Sequence, residues 1–261
     1  MHLDLSGKRA IVCGSTQGIG KASAIELASM RASITLIARN EEKLKAVLNE
    51  LDSSGGQVND YIVADFSDPQ ELKKKVEEYV SVKTVEILVN NTGGPPAGLA
   101  INAKPEEFVK AFSEHLLCNH ILTQAVVPGM KDKKYGRIIN IISTSVKIPI
   151  KGLGVSNSIR GAVANWSKTL ANELGQFGIT VNNVLPGSTM TGRLEAVLNG
   201  KAAQTGKSFD ELKLEMIDEI PAKRIGEPYE IAAVVGFLAS PAAGYVNGVN
   251  IPVDGGRTGA L

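Results

Sequence analysis

Short runs of apolar and β-branched residues alternate along this chain with longer stretches whose apolar residues recur at helical spacing, which leaves few folds open. The runs cover residues 9–13, 33–38, 58–64, 87–90, 137–142, 180–185 and 249–253. Helical patterns lie between them at 18–30, 41–52, 69–82, 105–131, 155–175 and 228–238. In the second helix, Leu44, Val47, Leu48 and Leu51 form a stripe that reads as core packing. Such strands, apolar on both faces and separated by helices, predict an α/β fold. The expected form is a doubly wound parallel sheet of about seven strands with helices on both faces, three layers in all. A chain of 261 residues suits one such domain, 1–261. Residues 188–220 are the least patterned and read as an insertion beyond the carboxyl ends of the strands, with a helical piece at 209–218. It can cover a ligand or remain a surface loop; both readings stand at this point.

Charge and cysteine usage exclude several classes. A formal net charge of +1 gives no field that would favour nucleic acid or an anionic membrane. The run Lys73-Lys74-Lys75 reads as a solvated helix face. Cys13 and Cys118 sit in apolar surroundings and make no metal-ligand spacing with the three histidines, so no metal is expected. Their usage suits a reducing compartment, and no apolar run reaches membrane-spanning length. With no apolar signal segment after Met1, the expected location is the cytoplasm.

The first strand runs straight into Cys13-Gly14-Ser15-Thr16-Gln17-Gly18-Ile19-Gly20 and then a helix. A turn this tight needs glycine where φ is positive and where backbone must approach a pyrophosphate. The helix behind it offers unpaired N–H groups and a positive dipole end. Gly14, Ser15, Gln17, Gly18, Ile19 and Gly20 are therefore candidate contacts of a dinucleotide. The second strand ends at Ala38-Arg39, with no carboxylate to accept from an adenosine ribose. Arg39 can instead pair with a 2′-phosphate, which favours NADP(H) over NAD(H). Asp65, at the end of the third strand, is placed for the adenine edge or as a cap for the helix beginning near Pro69.

These residues resemble the short-chain dehydrogenase/reductase family over nearly the whole chain, most closely its β-ketoacyl-acyl-carrier-protein reductase branch. The turn matches T-G-x-x-x-G-x-G with Cys13 in the threonine position, and Asn90-Asn91-Thr92-Gly93 is similar to N-N-A-G. Pro186-Gly187-Ser188-Thr189-Met190-Thr191 is similar to the turn that holds the nicotinamide carboxamide. Arg224-Ile225-Gly226-Glu227-Pro228 and Val253-Asp254-Gly255-Gly256 match the C-terminal signature. The resemblance implies a Rossmann-type fold and adds Asn91, Gly93, Pro186, Gly187, Thr189 and Thr191 to the cofactor set.

The resemblance also locates a departure. Family members act through asparagine, serine, tyrosine and lysine, the tyrosine donating a proton to the substrate oxygen. Here a gapless alignment keeps the serine as Ser143, puts Ser156 in the tyrosine position and Arg160 in the lysine position, and puts His115 in the asparagine position. This marks an atypical subgroup without the tyrosine–lysine pair. Serine is a poor acid, and arginine stays charged but cannot pass a proton at neutral pH. Ser143 and Ser156 are expected to bind the substrate oxygen, and Arg160 to stabilise negative charge or bind the ribose. Water or His115 would supply the proton, and Asn119 is placed to hold a water. The leading expectation is an NADP(H)-dependent oxidoreductase acting on a small carbonyl or acyl-thioester substrate. A cofactor-binding protein with lost reductase chemistry is the alternative, and an enzyme for an elimination or isomerisation is a third reading. The resemblance implies a homo-oligomer, tetramer or dimer, and it fits that 105–131 and 155–175 carry apolar residues on several faces, among them Leu116, Leu117, Ile121, Val163 and Trp166.

Overall fold

The computed structural model describes residues 1–260, apart from the side chain of Gln204; Leu261 lies outside the described residues. Its strands are β1 (Arg9–Cys13), β2 (Ser33–Ala38), β3 (Asp60–Val63), β4 (Ile87–Asn90), β5 (Gly136–Ile141), β6 (Ile179–Pro186) and β7 (Asn250–Val253). They form one sheet in the order β3-β2-β1-β4-β5-β6-β7, with each neighbouring pair parallel. The order reverses between β1 and β4, where chains of this kind open a crevice at the carboxyl ends of their strands.

The strands are buried on both faces, and alternate residues serve opposite cores. Ala10 and Val12 of β1 pack with Ile34 and Leu36 of β2 against α1 (Gly18–Ser29), α2 (Glu41–Leu48) and α9 (Pro228–Ala239). Ile11, Cys13 and Ile37 face the other way, toward α3 (Pro69–Val80), α5 (Cys118–Lys133) and α6 (Gly154–Leu174). This is the three-layer arrangement that the alternation of runs predicts.

Two helical regions differ from the sequence expectation. The stretch expected as one helix at 105–131 is α4 (Pro105–Phe112), a π-helical turn at Ser113–Leu117, and then α5. A π turn holds one residue more than an α turn and redirects the side chains it carries. The weakly patterned 188–220 segment contains α7 (Gly192–Thr205) as well as α8 (Phe209–Asp218). Thr191 caps α7 by accepting from the Leu194 N–H at 3.3 Å, and Ser208 with Glu211 forms a capping box on α8. No helix among the described residues is long and apolar enough to cross a membrane.

Candidate active site

The glycine turn sits at the end of β1 on the crevice side. Gly14 has φ +59° and Gly18 φ +55°, a region costly for residues with a Cβ. A Cβ on Gly20 would lie 2.2 Å from the Gly14 carbonyl oxygen, so α1 approaches the turn more closely than any side chain allows. Asn91 locks the turn from β4's end, its amide donating to the carbonyls of Cys13 at 3.2 Å and Gly14 at 3.4 Å. Gln17 precedes α1 in extended conformation and is exposed, while Ile19 packs into the α1 side of the core. The first N–H groups of α1 therefore face the crevice without helical partners, as a pyrophosphate requires.

The Pro186–Thr191 turn comes to the same place. A Cβ on Gly18 would meet Thr191 Cγ2 at 3.2 Å, so the two cofactor turns touch. Gly187 is required where Asp254 crosses behind it, since a Cβ there would lie 2.5 Å from the Asp254 Cβ. Thr189 is buried and donates to the Gly187 carbonyl at 3.2 Å, and the Thr191 hydroxyl donates to the Thr189 carbonyl at 3.3 Å. Gly93 has open space where a side chain would stand. This cradle fits a dinucleotide.

Ser15 needs a correction. Its side chain is fully buried, and its hydroxyl donates to the Ile37 carbonyl at 3.4 Å, tying the turn to β2 and not facing the crevice. Arg39 is exposed beyond β2 with Asp65 at 4.0 Å, so its guanidinium is free to turn to an anion. Asp65 does not cap α3; Asp68 does, accepting from Gln70 and Glu71. Asp65 instead accepts from the Ser67 N–H at 2.9 Å, and that bond, with Arg39 beyond it, holds its carboxyl below the ordinary range despite partial burial.

Three of the four tetrad positions, Ser143, Arg160 and His115, meet at the carboxyl ends of β4 and β5. Ser143 follows β5, half-buried, its Oγ accepting from the Ser145 N–H at 3.1 Å. Arg160, buried on α6, donates from Nη1 to the Ile141 carbonyl at 3.0 Å. Ser156 lies one helical turn earlier on the same face, half-buried. The π turn carries His115 inward to 1% exposure, where Nδ1 shares a hydrogen bond with the Thr92 hydroxyl just after β4. Its Nε2 has no partner among the described residues, and neither has the buried Oδ1 of Asn119.

His115 as a proton donor near pH 7 is also corrected. Burial first, and then the Arg160 charge, pull its pKa down to about 3, so the imidazole is neutral. Arg160 is itself lowered to about 10 by burial and by Arg193, and remains a cation at neutral pH. No tyrosine replaces the missing one. Tyr61 bonds Glu41, Tyr79 bonds Asp60, Tyr135 bonds the Ala239 carbonyl, and Tyr229 and Tyr245 stand exposed.

One feature beside the site escaped sequence reasoning. Asn90, Asn140, Asn183 and Asn250 occupy one register across β4 to β7. Their side chains donate in sequence, Asn90 to Asn140 at 2.8 Å, Asn140 to Asn183 at 3.1 Å and Asn183 to Asn250 at 2.8 Å. Ser167 joins by accepting from Asn140 at 2.6 Å and donating to Asn183 at 2.7 Å. Asparagines within otherwise apolar runs were the available signal.

Residues 14–258 match the family model described as Enoyl-(Acyl carrier protein) reductase. The 3-oxoacyl-(acyl-carrier-protein) reductase FabG of Haemophilus influenzae is 34% identical over 253 residues, spanning 97% of this chain and 98% of that protein. L-Sorbose reductase from Gluconobacter frateurii, solved with NADPH and L-sorbose, superposes with a TM-score of 0.93 at 30% identity over 100% of both chains. A gluconate 5-dehydrogenase from Burkholderia cenocepacia, solved with NADP and tartrate, has a TM-score of 0.87 at 30% identity over 100% of this chain and 98% of that one. A strand-to-helix turn that only glycines can make, the crevice beside it and likenesses spanning whole chains point one way: this chain belongs to the short-chain dehydrogenase/reductase family of oxidoreductases.

Proposed function

We propose that this protein is an NADP(H)-dependent oxidoreductase that exchanges hydride between the nicotinamide and a small carbonyl or alcohol substrate. The observation that carries this reading is the contact of the Gly18 turn with Thr191, which closes a dinucleotide cradle beside the polar set Ser143, Ser156 and Arg160. Arg39, with no carboxylate at the end of β2, selects the 2′-phosphate of NADP(H). The L-sorbose reductase and gluconate 5-dehydrogenase structures, which hold NADPH and NADP, support the same cofactor.

When bound, the dinucleotide supplies or accepts the hydride at nicotinamide C4. Ser143 and Ser156 donate to the substrate oxygen and orient the carbonyl. Arg160, held by the Ile141 carbonyl, stabilises the oxyanion that forms. Neutral His115 keeps the floor of the cleft closed through Thr92, and water delivers the proton to the oxygen. The substrate is a small carbonyl compound or an acyl thioester, as the FabG relative's name suggests. The protein works in the cytoplasm, where its two unpaired cysteines suit a reducing compartment.

It assembles as a homo-oligomer, a tetramer or dimer. Val109, Phe112 and Leu117 are exposed on α4 and the π turn, an apolar face that a second copy would cover. Val163, by contrast, is core, with Leu116 and Trp166 packed on it. The test of the function is NADPH oxidation across a panel of ketoses, oxo acids and 3-oxoacyl thioesters. Turnover with at least one member is expected, and a silent panel with NADPH bound would overturn the reading.

A further inference from the structure

Two arginines meet at the substrate end of the crevice, and nothing negative stands between them. A Cβ built on Gly94 would lie 3.9 Å from Nη2 of Arg160 and 3.9 Å from Nη2 of Arg193, so both guanidinium groups converge on one spot. Arg160 is buried, and its Nη1 donates to the Ile141 carbonyl. Arg193, in the first turn of α7, donates from Nη2 to the Pro95 carbonyl at 2.8 Å. Among the described residues neither has a carboxylate within ion-pair distance, although other arginines such as Arg31, Arg224 and Arg257 do. Arg193 is exposed and Arg160 buried, and after burial the Arg193 charge helps lower the pKa of Arg160.

A buried cation without a counter-ion is expensive, and a second cation facing it adds to the cost. Such an arrangement persists where a ligand completes it. Gly94 leaves the shared spot without a side chain, and the N-terminal end of α7 adds its dipole on the Arg193 side.

We propose that Arg160 and Arg193 form a carboxylate clamp at Gly94, and that the substrate is therefore a 2-oxo acid or its 2-hydroxy acid. This rests on the oxidoreductase reading above and names its substrate class. A guanidinium presents side-by-side N–H donors, and the keto and carboxylate oxygens of a 2-oxo acid lie side by side at a matching spacing. Arg160 takes the reacting oxygen and one carboxylate oxygen, and Arg193 takes the other. In the reduction the C4–H bond of NADPH would break as a C–H bond forms at C2, the carbonyl π pair would move to oxygen, and water would pass a solvent proton to that oxygen. The balance is oxo acid, NADPH and one proton going to hydroxy acid and NADP⁺.

The experiment has two arms. In the first, the full-length protein saturated with NADP⁺ is titrated calorimetrically with oxamate, an unreactive isostere of a 2-oxo acid. Binding is expected, weakened at least tenfold in Arg193→Gln and in Gly94→Val and partly restored in Arg193→Lys, while NADPH affinity stays within about twofold. In the second, NADPH oxidation compares pyruvate and 2-oxobutanoate with their methyl esters. The free acids are expected to have a KM at least tenfold lower, and Arg193→Gln to erase that difference. Absence of oxamate binding, or loss of NADPH affinity in Arg193→Gln, would overturn the clamp; the latter would assign Arg193 to the cofactor pyrophosphate. Turnover of neutral ketones with no advantage for acids would also overturn it while leaving the reductase standing. Oxamate binding that Arg193→Gln abolishes, with no turnover of any carbonyl, would uphold the anion site and remove the reductase reading.

Discussion

The guanidinium of Arg160 is anchored on the carbonyl oxygen of Ile141, 3.0 Å away, so backbone and not a carboxylate sets the position of the active-site cation. That leaves its charge uncancelled where a substrate oxygen would develop negative charge. A family lysine would do similar electrostatic work beside a tyrosine, but Ser156 stands in the tyrosine position here and cannot act as an acid near neutrality. In the mechanism proposed above, oxyanion stabilisation and proton delivery are thereby separated, the first given to Arg160 and the second to water.

The separation can be reversed. Ser156 is half-buried and lies one turn before Arg160 on the same side of α6. Ser156→Tyr combined with Arg160→Lys is expected to raise NADPH oxidation with an acetoacetyl thioester by about a hundredfold or more, the usual contribution of a positioned acid. Steady-state rates of the wild type, the double variant and a Ser143→Ala control decide it. A double variant that binds NADPH yet is no faster than wild type would refute the separation.

In the proposed reading, cofactor choice rests on Arg39. Its side chain is 76% exposed and its one ion-pair partner among the described residues, Asp65, is 4.0 Å away, so little holds it from a 2′-phosphate. Wild type should bind NADPH at least about tenfold more tightly than NADH, roughly 1.4 kcal/mol, and Arg39→Ala should lose most of that margin. Fluorescence titration of both cofactors measures it. Equal affinities in wild type would contradict the assignment.

His115 makes a stability prediction with a definite sign. Its folded pKa of about 3 lies below the ordinary value of 6.5, so the unfolded chain binds the extra proton between those values. Stability from this group is therefore unaffected above about pH 6.5 and falls as pH drops below it, by up to about 1.4 kcal/mol per unit. His115→Asn should flatten the fall between pH 6.5 and 5, as read from urea unfolding at each pH. Parallel curves for the two proteins would show that His115 is not held neutral.

The asparagine ladder should be costly to break. Asn140 accepts from Asn90 and donates to Ser167 and Asn183, all within the buried sheet. Asn140→Ala leaves the buried Asn90 amide without its acceptor and takes one bond each from Ser167 and Asn183, which keep the bond between them. It is expected to cost about 2 kcal/mol, with the cofactor crevice still formed in the folded fraction. Chemical denaturation gives the value, and a loss under about 0.5 kcal/mol would mean the ladder contributes little.

The sheet and cofactor turns were legible because their signals are local. Positive φ at Gly14 and Gly18 and the run of apolar residues in β1 are written in adjacent positions. The same holds for α8, whose capping box sits in the residues Ser208 to Glu211. What could not be read depends on contacts between distant segments. The π turn follows no visible pattern, since it shows only when His115 meets Thr92 from the end of β4. The acidity of His115 is set by its burial and by Arg160, far away in sequence, so an imidazole that looked suited to neutral pH is not. Ser15 looked like a phosphate ligand until β2 supplied the Ile37 carbonyl. Arg193 lay in the least patterned stretch, and only the fold brings it to Arg160 at Gly94.

The central claim is hydride transfer, and an isotope tests it most directly. NADPH carrying deuterium at the transferring C4 position is incubated with the protein and the carbonyl panel, and the products are weighed by mass spectrometry. The account predicts one deuterium on the carbinol carbon of at least one product for each NADP⁺ formed, with the label lost in Arg160→Ala. NADPH that binds, and stays bound, with no label reaching any product would contradict it.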